Sequence, residues 1–271
     1  MPMTDLPIGV FDSGIGGLTV LRALRTALPY ESFLYLGDTA RLPYGTKSRD
    51  SVVRYAVQST QALWERGIKL LVVACNTASA AALDALQAAY PGLPVVGVVG
   101  PGAEAACRAS RSGHIAVLAT EGTIRGKSYE REILARRPEA RVYGQPCQLF
   151  VALAEEGWFD GEVTRRTAEA YIRPLLAQAP VDTIVLGCTH FPVLAHAIAA
   201  AAGPKVTLVD SAQITARFVA RILEEQGLAA SGAAAGSVAF FATDGAERFA
   251  RVGSLFLGEH IAASDVTILD L

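Results

Sequence analysis

Short apolar runs bounded by turn residues alternate with longer Ala-, Leu- and Arg-rich stretches of helical periodicity along the chain. In order the runs are IGVF, FLYLG, LLVVA, PVVGVV, HIAVLA, ARVYG, TIVLG, KVTLV and VAFFAT. Runs of this kind, without polar alternation, read as strands buried on both faces, and parallel strands need crossover helices between them. The alternation therefore predicts an α/β chain with mostly parallel sheets. Two doubly wound open sheets fit the length better than a closed eight-stranded barrel, because the loops that carry polar residues recur as two similar sets.

The first set is IGVFDSGIGG (8–17) followed by LVVACNTAS (71–79), and the second is IAVLATEGTI (115–124) followed by IVLGCTHFP (184–192). In each, a strand ends in a small polar loop with Gly, and a later strand ends in Cys plus Thr. This reads as an internal repeat. A boundary is expected near Val96 to Gly102, where VGVVGPG punctuates the chain, and a return crossing near Pro204. The expected division is 1–97, completed by 207–271, and 98–206. The segment 227–237, GLAASGAAAGS, reads as a flexible loop.

With 271 residues, 51% of them apolar, the chain has enough material for a large buried core. A formal charge of −2 gives no field for nucleic acid, and no apolar run is long enough to span a bilayer. A cytosolic protein whose partner is a small molecule or another protein is expected. Cys75, Cys107, Cys147 and Cys188 form no CxxC pair, so zinc ribbons and thioredoxin-like chemistry are disfavoured and free thiols expected.

DSGIGGLT lacks a P-loop ending and has Thr19 where a dinucleotide fingerprint needs Gly or Ala. What it offers is a helix N-terminus for a smaller anion, with Asp12 placed to hold an ammonium group and Ser13 to donate to a carboxylate. Cys75 and Cys188 are both expected at helix N-termini, where free N–H groups and the dipole lower a cysteine pKa from ~8.5 by about one unit or more. Asn76, Thr77 and Thr189 are suited to capping those helices, which accounts for them without any ligand. Cys188 with His190 lacks two further ligands at a metal-site spacing. Cys107 and Cys147 read as structural. Two thiols facing one cleft leave three chemistries open: a disulfide switch, covalent catalysis by one cysteine, or proton transfer from opposite faces of a carbon acid without a cofactor.

Together FDSGIGGLTVLR, DTARLPYGTKS, ACNTASAAALDALQ, VGPGAEAA, ATEGTIR, LGCTHFPVL, LVDSA and DGAERFARVGSLFLG resemble the glutamate racemases of bacterial cell-wall synthesis. The resemblance implies two α/β domains related by pseudo-twofold symmetry, with glutamate between them, no pyridoxal phosphate or metal, and a homodimer. It implies that Cys75 acts on D-glutamate and Cys188 on L-glutamate, with Asp12, His190 and Glu155 as auxiliary groups. Asp12, Ser13, Tyr44, Gly45, Asn76, Thr77, Thr120, Thr189 and His190 match substrate-contacting positions. One stretch departs: residues 147–157 read CQLFVALAEEG where the family commonly has CPLFVPLVEEG. Gln148 and Ala152 replace two residues of fixed φ, which predicts a looser loop around Glu155. The rival readings are racemisation of aspartate or another amino acid, and a non-catalytic amino-acid-binding or regulatory protein of the same fold.

Overall fold

The computed structural model describes residues 2–232 and 234–271. The nine apolar runs form β1 (Ile8–Asp12), β2 (Phe33–Gly37), β3 (Leu70–Val73), β4 (Val95–Gly97), β5 (His114–Ala119), β6 (Arg141–Pro146), β7 (Thr183–Gly187), β8 (Thr207–Asp210) and β9 (Val238–Ala242). A further strand, β10 (Val266–Ile268), escapes the sequence pattern because it is three residues long and buries only Val266. Between them run α1 (Leu18–Ala27), α2 (Arg49–Trp64), α3 (Asn76–Ala89), α4 (Val99–Ala109), α5 (Glu121–Arg125), α6 (Ser128–Arg136), α7 (Gln148–Glu155), α8 (Glu162–Gln178), α9 (Ala195–Ala202), α10 (Ser211–Glu225) and α11 (Ala246–Leu257).

The strands make two sheets, ordered β10-β9-β2-β1-β3-β4 and β6-β5-β7-β8, and every pairing is parallel. The repeat read from the sequence is visible in this order. β2-β1-β3-β4 and β6-β5-β7-β8 have the same connectivity, with β9 and β10 added at one edge of the first sheet. In each, the chain leaves the first strand toward one side and returns on the other, so a crevice opens at the carboxyl ends of β1 and β3, and again of β5 and β7. Such switch points are where open α/β sheets bind ligands.

The first sheet's run of strands ends at Gly97, and α4 starts at Val99 and accommodates Pro101 within its first turn, where no intrahelical N–H bond is lost. The return crossing falls after Asp210 and not near Pro204, because Thr207–Asp210 pair with β7 in the second sheet. One buried apolar cluster then runs from Ile8, Leu18 and Leu24 through Ile184, Leu186 and Phe191 to Phe249 and Phe256, joining the two halves. α10 packs on both α1 and α4.

Residue 233, within the expected loop, lies outside the described residues. Its flanks are tied down: the Ala230 N–H donates to Glu31 Oε1 at 2.7 Å and the Gly236 N–H to the Pro29 carbonyl at 3.0 Å. Glu31 also forms a buried pair with Lys69 at 2.6 Å. Breaking such a pair strands a charge out of water, so loss of either partner is costly at the base of the sheet.

Phe256, fully buried on α11, sets its ring edge-on to the His190 imidazole with centroids 5.3 Å apart. Phe256→Ala is expected to destabilise the fold by about 3–5 kcal/mol, through lost burial and the cavity left behind. Chemical denaturation checks this, and a loss below about 1 kcal/mol would mean the site collapses around the gap.

Candidate active site

The switch-point crevices bring together residues that are far apart in sequence. Asp12 closes β1, Cys75 follows β3, Thr120 follows β5 and Cys188 follows β7. All four are buried, with Ser13, Asn76, Thr77, Thr189 and His190.

Cys75 is the N-cap of α3, its Sγ accepting the Ala78 N–H at 3.4 Å and lying 3.4 Å from Ser13 Oγ, to which the thiol donates. The helix terminus is therefore present as expected, but its effect on the thiol does not prevail. Burial, and then the neighbouring Asp12 charge, push the Cys75 thiol up to about 12, against the favourable contacts from Ser13 and Ala78. A charge on Cys188 adds to the rise, so the two thiols are electrostatic neighbours.

Cys188 is in a different setting from the one expected. It precedes a turn and a short 3-10 helix, Phe191–Leu194, with Pro192 in its first turn, and no α-helix begins there. Its partner is a side chain: His190 Nδ1 lies 3.8 Å from Cys188 Sγ, and His190 Nε2 lies 3.1 Å from Glu155 Oε1. Burial opposes the imidazolium, but hydrogen bonds to Cys188 and Glu155, and the charges those groups carry, push His190 up to about 10. Burial likewise works against the Glu155 carboxylate, and His190 and Arg248 outweigh it to hold Glu155 below its usual range.

The stretch carrying Glu155 is not loosened. Residues 148–155 form α7, and Ala152 continues the helix, its carbonyl accepting the Glu156 N–H at 3.0 Å, where a proline would have removed a helical donor. Cys147 precedes α7, where burial and then a charge on Cys188 push its thiol up, and Cys107 lies in α4.

Asp12 is fully buried at the glycine-rich turn. The amides expected to bind an external anion are in part taken by this carboxylate: the Gly14 N–H donates to Asp12 Oδ2 at 2.9 Å, and the Gly17 N–H also serves it. Burial still pushes the Asp12 carboxyl up, opposed first by His190 and then by these amides. Thr189 Oγ1 lies 3.5 Å from Asp12 Oδ1, a contact that joins the two crevices. Close approach here demands glycine. A Cβ on Gly16 would lie 2.4 Å from Thr189 Oγ1 and 2.5 Å from His190 Nδ1.

The capping roles expected of Asn76, Thr77 and Thr189 are not the ones they play. Asn76 Oδ1 accepts the Tyr129 hydroxyl at 2.7 Å, while its buried Nδ2 has no partner among the described residues. Thr77, Thr120 and Thr123 form a triangle of hydroxyls with sides of 2.9, 3.1 and 3.1 Å, again joining the halves. Gly45 packs against Thr120, and the Tyr44 hydroxyl donates to Asp38. Sequence reasoning missed Thr123, Tyr129 and Arg248. Thr123 had a signal, one helical turn beyond Thr120 in TEGTIR; Arg248 stands in the motif DGAERFARVGSLFLG, which by itself names no partner for it, and Tyr129 in a stretch with no local signature.

Among the described residues no three His, Cys, Asp or Glu side chains group as a metal site would need, and no helix is long and apolar enough to cross a membrane.

Residues 14–219 match the family model described as Asp/Glu/Hydantoin racemase. The chain belongs to the Asp/Glu/Hydantoin racemase family. It is accordingly a racemase, an enzyme of the isomerase class. Within the racemases it is 52% identical to a glutamate racemase of Geobacter metallireducens over 251 residues, covering 93% of this chain and 92% of that one. A glutamate racemase structure from Bacillus anthracis superposes with a TM-score of 0.93 at 36% identity, covering 99% of this chain and 98% of that one. A glutamate racemase from Francisella tularensis, in complex with D-glutamate, superposes at 0.91 with 34% identity, covering 98% of each chain.

Proposed function

We propose that this racemase interconverts L- and D-glutamate by proton transfer between Cys75 and Cys188. The observation that carries the reading is the placement of the two thiols. Each follows the matching strand of one of two sheets with the same connectivity, and both are buried around one set of polar groups. The substrate class follows the relatives, which are named glutamate racemases.

In one direction the Cys75 thiolate takes the α-proton of D-glutamate, and the Cys188 thiol delivers its own proton to the opposite face, leaving Cys188 as thiolate. The reverse direction starts from that state and acts on L-glutamate. No proton is created or lost, and the stereocentre is inverted. The high pKa of Cys75 in the empty site has a physical remedy in the substrate itself. An ammonium group held by Asp12 brings a positive charge beside the thiol and neutralises the carboxylate that raises its pKa. On the other face, His190, oriented by Glu155, exchanges a proton with Cys188.

The unpartnered Nδ2 of Asn76 is an unmet donor that suits a substrate carboxylate. Ser13, Thr77, Thr120 and Thr189 supply hydroxyls around it. The Tyr44 hydroxyl is engaged with Asp38, so Tyr44 and Gly45 contribute main chain. We read each sheet with its helices as one domain, with the substrate between them, so that entry parts the contacts between Thr77, Thr120 and Gly45. Cytoplasmic supply of D-glutamate for peptidoglycan is the role this activity would serve.

Purified protein without added cofactor is expected to erase the circular dichroism of either glutamate enantiomer and to turn over aspartate at least about a hundredfold more slowly. A pocket built for one chain length leaves polar groups unpaired with the shorter acid. Aspartate turned over as fast as glutamate would overturn the assigned substrate. Tight glutamate binding without turnover would favour a non-catalytic role.

A further inference from the structure

Glu155 divides its two carboxylate oxygens between two cations. Oε1 meets His190 Nε2 at 3.1 Å, and Oε2 meets Arg248 Nη2 at 3.0 Å. Arg248 stands in the first turn of α11, on the segment that returns to the first sheet, whereas Glu155 ends α7 beside the second sheet. A carboxylate in the last residue of a helix lies at the negative end of the helix dipole, so α7 itself does not favour an ionised Glu155 there. The same α11 carries Phe256, whose ring packs edge-on against His190. One helix thus touches both the imidazole, through Phe256, and the carboxylate, through Arg248.

We propose that Arg248 is a positioning residue for the racemisation chemistry, its guanidinium fixing Glu155 so that Glu155 in turn fixes His190 toward Cys188. The inference rests on the reading of Cys188 as an acid/base group. A purely structural ion pair is the alternative, and exposure separates the two. Arg248 is 47% exposed and Glu155 16%. With the guanidinium half in water the pair adds little to stability, but the geometry it imposes on the mostly buried carboxylate reaches Cys188 through two contacts. The charged groups facing this relay are Asp12 and Cys188 toward His190, and His190 and Arg248 toward Glu155.

Arg248→Ala is expected to lower kcat about tenfold, as loss of an outer partner that orients a reacting group does, while KM changes less than about threefold and the melting temperature by less than about 2 °C. Arg248→Lys recovers most of the loss, because a single N–H···O contact is what the guanidinium supplies. In Arg248→Ala the Glu155 carboxyl takes up its proton at higher pH, so the acidic limb of the kcat profile moves upward. Combining Arg248→Ala with Glu155→Gln costs no more than Glu155→Gln alone. Independently of turnover, the His190 imidazole, assigned with a His190→Gln control, is expected to titrate about one unit lower in Arg248→Ala than in the wild type, because a displaced Glu155 takes its charge and hydrogen bond away from the ring, whereas loss of the guanidinium charge alone would move the titration upward. Wild-type kcat and an unmoved or raised His190 titration in Arg248→Ala would overturn the inference while leaving the racemase reading intact. Parallel loss of kcat and melting temperature without rescue by lysine would overturn it in favour of a structural pair. A wild-type protein that fails to racemise glutamate removes the functional reading instead, and the His190 titration still decides whether Arg248 holds the relay.

Discussion

Cys75→Ser and Cys188→Ser are each expected to lower racemisation by about 10²–10⁴-fold or more, the range that a positioned acid or base contributes. Serine nearly preserves the volume of cysteine, so the fold and the surrounding contacts persist. Its hydroxyl, however, is far too weak an acid to supply an alkoxide in a site whose burial already pushes the Cys75 thiol up to about 12. The effect is similar for both variants although their settings differ. Cys75 leans on Ser13 and a helix amide, while Cys188 leans on His190. Each variant keeps one thiol, and with it the means to exchange the α-proton of one enantiomer without inverting it. Full racemase activity in either variant contradicts the two-thiol assignment.

The second large effect comes from a residue with no side chain. Gly16→Ala places a methyl group 2.4 Å from Thr189 Oγ1 and 2.5 Å from His190 Nδ1, so the turn after β1 and the turn after β7 have to separate. What must give is Thr189 and His190, not a flexible surface side chain. A displacement of about 1 Å at a reacting group can cost about 10²-fold, and the overpacking itself costs about 1–3 kcal/mol. The expected outcome is a folded protein of reduced melting temperature whose kcat is lower by about two orders of magnitude. Gly100→Ala is the control: its added Cβ meets nothing closer than 3.9 Å, and turnover should stay at the wild-type level. Wild-type turnover in Gly16→Ala would mean that the two turns do not need their close approach.

The comparison of these two sites shows how far residues alone can be read. The apolar runs become strands most clearly where a parallel strand is covered on both faces, as β1, β3 and β7 are along their whole length, while β6 pairs at a sheet edge with no residue buried. The Cys-Thr echo marks corresponding places because it follows matching strands in two sheets of the same order. The properties that depend on packing could not be read locally. A helix terminus predicts a lowered thiol pKa, but how deeply Cys75 is buried is a tertiary quantity, and burial prevails. Thr189 looks like a cap and instead reaches Asp12, 177 positions away in the chain. Gln148 and Ala152 look like a loosened loop, yet without proline the stretch closes into α7 and presents Glu155 at its end. Arg248 finds Glu155 from another sheet, across a separation that no local motif encodes.

In this mechanism the proton leaves one face of the α-carbon and arrives at the other from a different group. Early-time analysis of each glutamate enantiomer, racemised by the wild-type protein in deuterated water, tests it most directly. With two thiols, deuterium appears at the α-carbon of the product enantiomer from the first turnovers, while recovered substrate stays protiated, in both directions. Substrate that exchanges its α-proton as fast as product forms, with one base serving both faces, would contradict the account.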